Sequence, residues 1–284
     1  MASVDTRRRY DLRRYFVSRP VVIASVVLAV AGFSAAVVLP ARALAGGTGT
    51  TTTGATATTA PTTTTTTTTT PKKSPPPVKV ASAFPAAGGL VVSSLPVRKT
   101  PDPHGAVIKV MHMFRPDYRT QEILALSTRI GSDGKPWYKI SVPMRPNGMK
   151  GWIPARSVSL APTVSQILIN RSARTIDIYW HERLVYHAGV AIGAPGMETP
   201  TGNFYVAARF VPYQDPFLGV FAVETSAYSK LTEWPGGGVV GIHGTSEPQL
   251  LGQAVSHGCV RVANTTAAAM RKLAPLGTPI TITG

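Results

Sequence analysis

The 284-residue sequence has a single cysteine, Cys259, and 13 acidic residues against 29 lysines and arginines. One thiol has no intramolecular partner, so a disulfide framework is excluded. Cys259 is then a free reactive group, an intermolecular bridge or a small buried hydrophobe. Acid is absent from residues 20–87, and charge of either sign is absent from Pro20 to Pro40. The net charge of +16 is spread unevenly: +4 over residues 1–19, +4 over 20–87, +7 over 88–161 and +1 over 162–284. The segment holding the cysteine is nearly neutral, and the basic excess lies before it. Such an excess suits nucleic acid, an anionic membrane or an acidic polymer, and compartment decides among them.

Compartment is read from the N-terminus. Residues 1–19 carry six arginines, Arg7, Arg8, Arg9, Arg13, Arg14 and Arg19, and form a basic cytoplasmic segment. The uncharged run 20–40 follows, long enough as a helix to approach the bilayer core of roughly 30 Å. A positive flank on one side predicts that the rest of the chain faces outward. Ala43-Leu44-Ala45 behind it is an A-x-A-like cleavage signal, so the run is a membrane anchor or a long signal peptide. Either way the chain is expected to work outside the cytoplasm, anchored or secreted. That excludes nucleic acid as the partner of the basic segment.

Residues 41–87 are rich in threonine and proline, with Thr62 to Thr70 uninterrupted, and cannot build a core. They read as a spacer; about 40 residues span roughly 120 Å when extended. Residues 88–161 hold short β-rich runs broken by turn dipeptides such as Asp133-Gly134 and Asn147-Gly148. About five short strands in this length suggest a small β-barrel. LPVRKTPD, WYKISV and GWIPARSVSL resemble a bacterial SH3-like (SH3b) domain, a resemblance that implies binding to cell wall. Trp137, Tyr138 and Trp152 are either core or the lining of a ligand groove.

Residues 162–284 open with alternating patterns, QILINRSARTIDIYW and RLVYHAGVAIG, the first containing a hairpin turn at Arg-Ser-Ala-Arg. ANTTAAAMRKLAPLG predicts a short helix capped near Asn264 or Thr265 with Lys272 in its last turn. TPITITG ends the chain as a strand. The fold class is therefore mainly β, a small barrel followed by a β-rich domain with one short helix.

The chemistry concentrates in GIHGTSEPQLLGQAVSHGCVRV, residues 241–262. A thiol is a useful nucleophile only when a base can take its proton. His257 lies two residues from Cys259, on the same face if the stretch is extended. His243 lies sixteen residues away and needs the chain to fold back. Gly258 allows close backbone approach, and N–H groups beside the nucleophile can stabilise an oxyanion.

H-G-T followed by S-H-G-C-V-R resembles the signature of the L,D-transpeptidase (YkuD-like) catalytic domain, with TPTGNF and GTPITI resembling other stretches of that family. The resemblance implies a largely β fold that cross-links peptidoglycan stem peptides through a cysteine acyl-enzyme, without metal or organic cofactor. It implies Cys259 as nucleophile, His243 as general base and Gly244 as the carbonyl that orients the imidazole. Ser256, His257 and Gly258 complete the motif, with Gly258 and Cys259 N–H groups as oxyanion donors. Arg261 is expected to bind a stem-peptide carboxylate.

Other readings compete. His243, His257 and Cys259 supply enough ligand atoms for a zinc site. His181 and His187 belong to the hairpin region as surface or structural residues. GGGVVG, residues 236–241, fits G-x-G-x-x-G without the βαβ setting that gives this pattern meaning. The competing function is a catalytically silent scaffold that binds wall through the basic barrel.

Overall fold

The computed structural model describes residues 81–233 and 235–284. The basic segment, the apolar run 20–40 and nearly all of the Thr/Pro spacer lie outside the described residues. Among the described residues, no helix is long and apolar enough to cross a membrane.

Seven antiparallel strands replace the five expected over residues 88–161. They are β1 (Ala86–Leu90), β2 (Ser94–Arg98), β3 (Val107–His112), β4 (Glu122–Ile130), β5 (Pro136–Ser141), β6 (Lys150–Pro154) and β7 (Val158–Pro162). They form one sheet in the order β3-β2-β6-β5-β4-β1-β7. β1 begins at Ala86, two residues inside the stretch read as spacer, and its AAGGL sequence has little β propensity. Its glycines serve close approach instead: a Cβ on Gly88 would land on the carbonyl of Ser159 in β7.

Trp137 and Tyr138 are buried, at 1% and 2% exposure, so the aromatic groove does not form. Trp137 donates its indole N–H to Asp133 Oδ1 at 2.9 Å, and the Tyr138 hydroxyl accepts from Ala81 N at 2.7 Å. Both polar tips are satisfied, as buried aromatics with a polar handle require. Trp152 is half-buried with the Lys139 ammonium 5.9 Å from its ring centre.

The second part comprises β8 (Ser165–Asn170), β9 (Thr175–Trp180), β10 (Arg183–Gly189), β11 (Ile192–Gly193), β12 (Gly202–Phe210), β13 (Ala222–Tyr228), β14 (Val239–His243), β15 (Ala254–Ser256), β16 (Val260–Arg261), α1 (Asn264–Leu273) and β17 (Pro279–Thr283). Eight strands pair in the order β10-β9-β8-β17-β12-β13-β14-β16, and β11 pairs with β15 apart. The Arg-Ser-Ala-Arg turn joins β8 to β9 as the pattern predicts. β14 pairs with β16 in parallel, matching Ile242 to Val260 and His243 to Arg261.

Alternation along these strands sends Ile167, Ile169, Ile176, Ile178, Ile242 and Val260 into one core, where Ala267 and Met270 of α1 join them. Each such aliphatic side chain contributes about 1.5–3 kcal/mol on full burial. The helix starts one residue earlier than a side-chain cap at Asn264 or Thr265 would have it. Ala263 occupies the cap position, and the Asn264 carboxamide is diverted to other backbone. Lys272 lies in the last turn, as expected.

A third cluster joins the two sheets: Leu124 of β4 packs with Tyr205 and Ala207 of β12. The turn before β4 adds charge pairing, because Arg115 and Arg119 both reach Glu224 of β13.

Candidate active site

Parallel pairing of β14 with β16 folds the chain back on itself, as His243 requires. Residues between them pass through a short 3-10 turn at Pro248–Leu250 and through β15 before returning. The result places Cys259 immediately before β16 and His243 at the end of β14. Gly241 lies between them: its N–H donates to Cys259 Sγ at 3.3 Å. A Cβ on Gly241 would sit 3.8 Å from that sulfur and 3.9 Å from His243 Cδ2.

His243 is 3% exposed. Its Nδ1 lies 2.6 Å from the carbonyl oxygen of Gly244. A carbonyl only accepts, so Nδ1 carries the proton and the Nε2 lone pair is left for base chemistry. Burial pushes the imidazole pKa down to about 4, opposed by the Gly244 carbonyl and assisted by the Arg261 charge. Burial also raises the Cys259 thiol, while the Gly241 N–H and Arg261 pull it the other way. The resting pair is therefore a neutral imidazole and a neutral thiol.

Gly244 is held by packing that only glycine permits. A Cβ there would collide with Asn264 Oδ1 and come within 3.1 Å of Gly219 Cα. Asn264 accepts from Val220 N at 3.2 Å and donates to Thr245 O at 3.1 Å, tying the start of α1 to both sides of this contact. Gly219, at φ 66°, needs the left-handed region as well as the space.

Ser256 organises the turn that carries the cysteine. Its hydroxyl donates to Cys259 O at 2.5 Å and accepts from Gly258 N at 3.1 Å. The Gly258 N–H is thus directed to Ser256, which differs from the oxyanion role expected of it. Gly258 adopts φ 117°, and its close approach is to protein rather than to open space: a Cβ would lie 2.9 Å from Ser229 Cβ. His257 is half-buried, and burial, then Arg261, hold its pKa below the ordinary value.

Arg261 is 6% exposed and already has a carboxylate. Its Nη1 donates to Glu247 Oε2 at 2.9 Å, and its guanidinium lies 4.6 Å from the Phe217 ring centre. Phe217 in turn sits 5.8 Å from the His243 ring. The arginine expected to clamp substrate is thus built into the wall behind the imidazole. Its backbone is fixed too, exchanging two hydrogen bonds with Ala191.

Among the described residues no group of three His, Cys, Asp or Glu has the arrangement of a metal site, and His257 does not complete one with His243 and Cys259. His187 is exposed and lies 2.5 Å from Asp177, and His181 occupies the β9–β10 turn at φ 47°. The GGGVVG stretch leads into β14, a strand, with Gly236, Gly237 and Gly238 all at positive φ. Phe217, Glu247, Asn264 and Gly241 are site residues that the motif does not mark. Their types are common, and only the pairing of β14 with β16 brings them together.

Two curated relatives carry the name L,D-transpeptidase YkuD. The Bacillus licheniformis protein is 31% identical over 42% of this chain, and the Bacillus subtilis (strain 168) protein is 31% identical over 41%. The chain spans 65% and 64% of their respective lengths. A solved L,D-transpeptidase of Mycobacterium tuberculosis H37Rv is 14% identical, covering 72% of this chain and 98% of that one, with a TM-score of 0.39, a likeness that carries no argument. Residues 165–282, which include every side chain placed around His243 and Cys259 above, match the family model of YkuD, the L,D-transpeptidase catalytic domain.

Proposed function

We propose that residues 162–284 form an L,D-transpeptidase that cross-links peptidoglycan stem peptides through a thioester on Cys259. The observation that carries this reading is the tautomer of His243, whose Nδ1–H is anchored on Gly244 O, in a ring whose Cδ2, like the Cys259 sulfur, lies within 3.9 Å of where a Cβ on Gly241 would sit. A base fixed in this tautomer, beside a lone thiol, suits general-base activation of a nucleophile.

In the first half-reaction His243 Nε2 takes the thiol proton as Sγ attacks the carbonyl between the third residue and the terminal D-alanine of a tetrapeptide. The oxyanion forms beside the Cys259 N–H. The C–N bond then breaks, D-alanine leaves as an amine with the proton held by His243, and the acyl group remains on sulfur. In the second half-reaction His243 accepts a proton from an acceptor amine of another stem as it attacks the thioester, and the thiol is regenerated. Water in place of the amine gives a carboxypeptidase. Ser256 holds the nucleophile turn, and Gly244 holds the base. Arg261, with its Nη1 on Glu247, positions Phe217 against the imidazole. His257 borders the same turn.

The antiparallel unit ahead of this domain is assigned as an SH3-like wall-binding module, supported by its +7 charge over residues 88–161. The run 20–40 would hold the protein at the membrane or direct its secretion, leaving both units outside the cytoplasm.

Incubation with a tetrapeptide stem ending in D-alanine, followed by mass spectrometry, tests the assignment. Loss of D-alanine with an acyl adduct on Cys259, both abolished by Cys259→Ala, is the expected result. Wall binding without adduct or product would instead favour the silent scaffold.

A further inference from the structure

Beside the nucleophile turn lies an open cleft of about 810 Å³ whose walls come from both sheets. The loop between β5 and β6 contributes Arg145 and Asn147. The β8–β9 turn contributes Arg171, and the segments around β12 and β13 contribute Glu198, Tyr228 and Lys230. The cleft adjoins the proposed catalytic residues through Ser229, which lines it and packs against Gly258.

Its charge is unbalanced. Lys230 pairs with Glu198 at 2.9 Å. Among the described residues neither Arg145 nor Arg171 has a carboxylate within ion-pair distance. Three cations and one carboxylate leave the cleft at 3 − 1 = +2. Arg145 is committed to structure: its Nη2 donates to Ser229 O at 3.0 Å and Gly237 O at 2.8 Å, and its guanidinium lies 4.7 Å from the Tyr228 ring centre. Arg171 is half-buried and lines the cleft. A guanidinium stays charged at any ordinary pH. A concave site with uncompensated arginines concentrates anions.

We infer that this cleft is a subsite for a carboxylate of the peptide being processed, read by Arg171 with the unpaired charge of Arg145 beside it. The first sheet is then part of the substrate site, because the Arg145–Asn147 loop forms one of its walls. The inference rests on the peptide substrate proposed above and adds a specificity element to it. A stem peptide carries carboxylates of two kinds, on a side chain and at its C-terminus, and the cleft recognises the chemistry common to both.

The test measures binding by calorimetry to the full chain carrying Cys259→Ala, so that no acylation interferes. Three synthetic tetrapeptides ending in D-alanine serve as probes: one with a free side-chain carboxylate, one amidated there, and one amidated at the C-terminus. One of the two amides is expected to bind about tenfold more weakly, and which one identifies the carboxylate that enters the cleft. Arg171→Gln should bring that ratio close to one, while Arg171→Lys should retain part of it. Equal affinity for all three peptides, a ratio unchanged in Arg171→Gln, or displacement of the peptide by equimolar inorganic phosphate would overturn the inference. Loss of the acylation activity in the Cys259-intact protein, with the carboxylate preference present, would remove the enzyme reading and leave the cleft.

Discussion

The carboxamide of Asn147 pairs with the backbone of Tyr228 as another strand would. Its Nδ2 donates to Tyr228 O at 2.8 Å, and its Oδ1 accepts from Tyr228 N at 3.0 Å. One side chain of the first sheet thus completes the exposed end of β13, next to the Ser229 that packs on Gly258. Asn147→Ala leaves both backbone groups without this partner. We expect a loss of about 1–3 kcal/mol in urea unfolding and faster alkylation of Cys259 by iodoacetamide as its burial loosens, whereas Asn147→Asp should fail to restore the Tyr228 O contact because a carboxylate cannot donate.

The acid limb of the pH–rate profile reports on His243. With its pKa near 4, the imidazole is in the base form at all higher pH, so acylation should show no inflection near the ordinary 6.5. Stopped-flow acylation between pH 3 and pH 8 checks this, and a limb centred near 6.5 would show that the imidazole is more exposed than the fold places it. The raised thiol predicts that alkylation by iodoacetamide climbs only on the alkaline side, with no thiolate plateau at neutrality.

Gly241→Ala should fold and yet be slow. The new methyl meets Cys259 Sγ and His243 Cδ2 at ordinary contact distances of 3.8 and 3.9 Å, so it fits without collision but occupies the space between nucleophile and base. A drop of about tenfold or more in acylation, with a thermal midpoint within a few degrees of the parent, is the expected outcome. Circular dichroism melting and single-turnover mass spectrometry measure the two sides.

Gly244→Ala should fail in the other way. Its Cβ has no room beside Asn264 Oδ1 and the Gly219 backbone, so the loop must open. Destabilisation of about 1–3 kcal/mol together with lost acylation is expected, and Asn264→Ala in the same background should recover part of the stability without the rate. Denaturant unfolding of both variants gives the comparison.

Glu122 provides a pH handle on the junction between the sheets. It is 7% exposed, and burial pushes its carboxyl up to about 7 from an ordinary 4.5. The folded state holds this proton where the unfolded state has lost it. The Glu122 contribution therefore falls as pH rises from about 4.5 to about 7 and is constant above. His243, with its lowered pKa, acts in the opposite direction over part of that range, so the prediction concerns a difference. Glu122→Gln should gain stability relative to the parent as pH rises through the window, and a constant offset in melting temperature would refute it.

The residues proposed to carry the chemistry stand out in the sequence because their types are few and particular. A lone cysteine between a glycine and a β-branched residue, and a histidine followed by glycine, announce themselves. The hairpin at Arg171–Arg174 and the aliphatic alternation of β8 and β9 are legible for the same reason that strands have period two. β1 is hidden because AAGGL works by letting β7 approach, a property of the neighbour rather than of the segment. The engagement of Arg261 is also hidden: nothing in the linear order says that Glu247 will take its Nη1. Nor does the order show that Asn264, an expected cap, is spent on Val220 and Thr245.

The pairing of β14 with β16 has one last consequence. His243 ends β14 and Cys259 immediately precedes its parallel neighbour β16, so their separation is a matter of register, and a slip of one residue displaces one past the other by about 3.3 Å. A molecule with this edge unzipped possesses only an ordinary cysteine and an ordinary histidine. The reactivity of Cys259 is then a gauge of whether the outermost strand is seated: burial raises the seated thiol, so the fast-alkylating fraction counts the unzipped molecules in a population without any substrate.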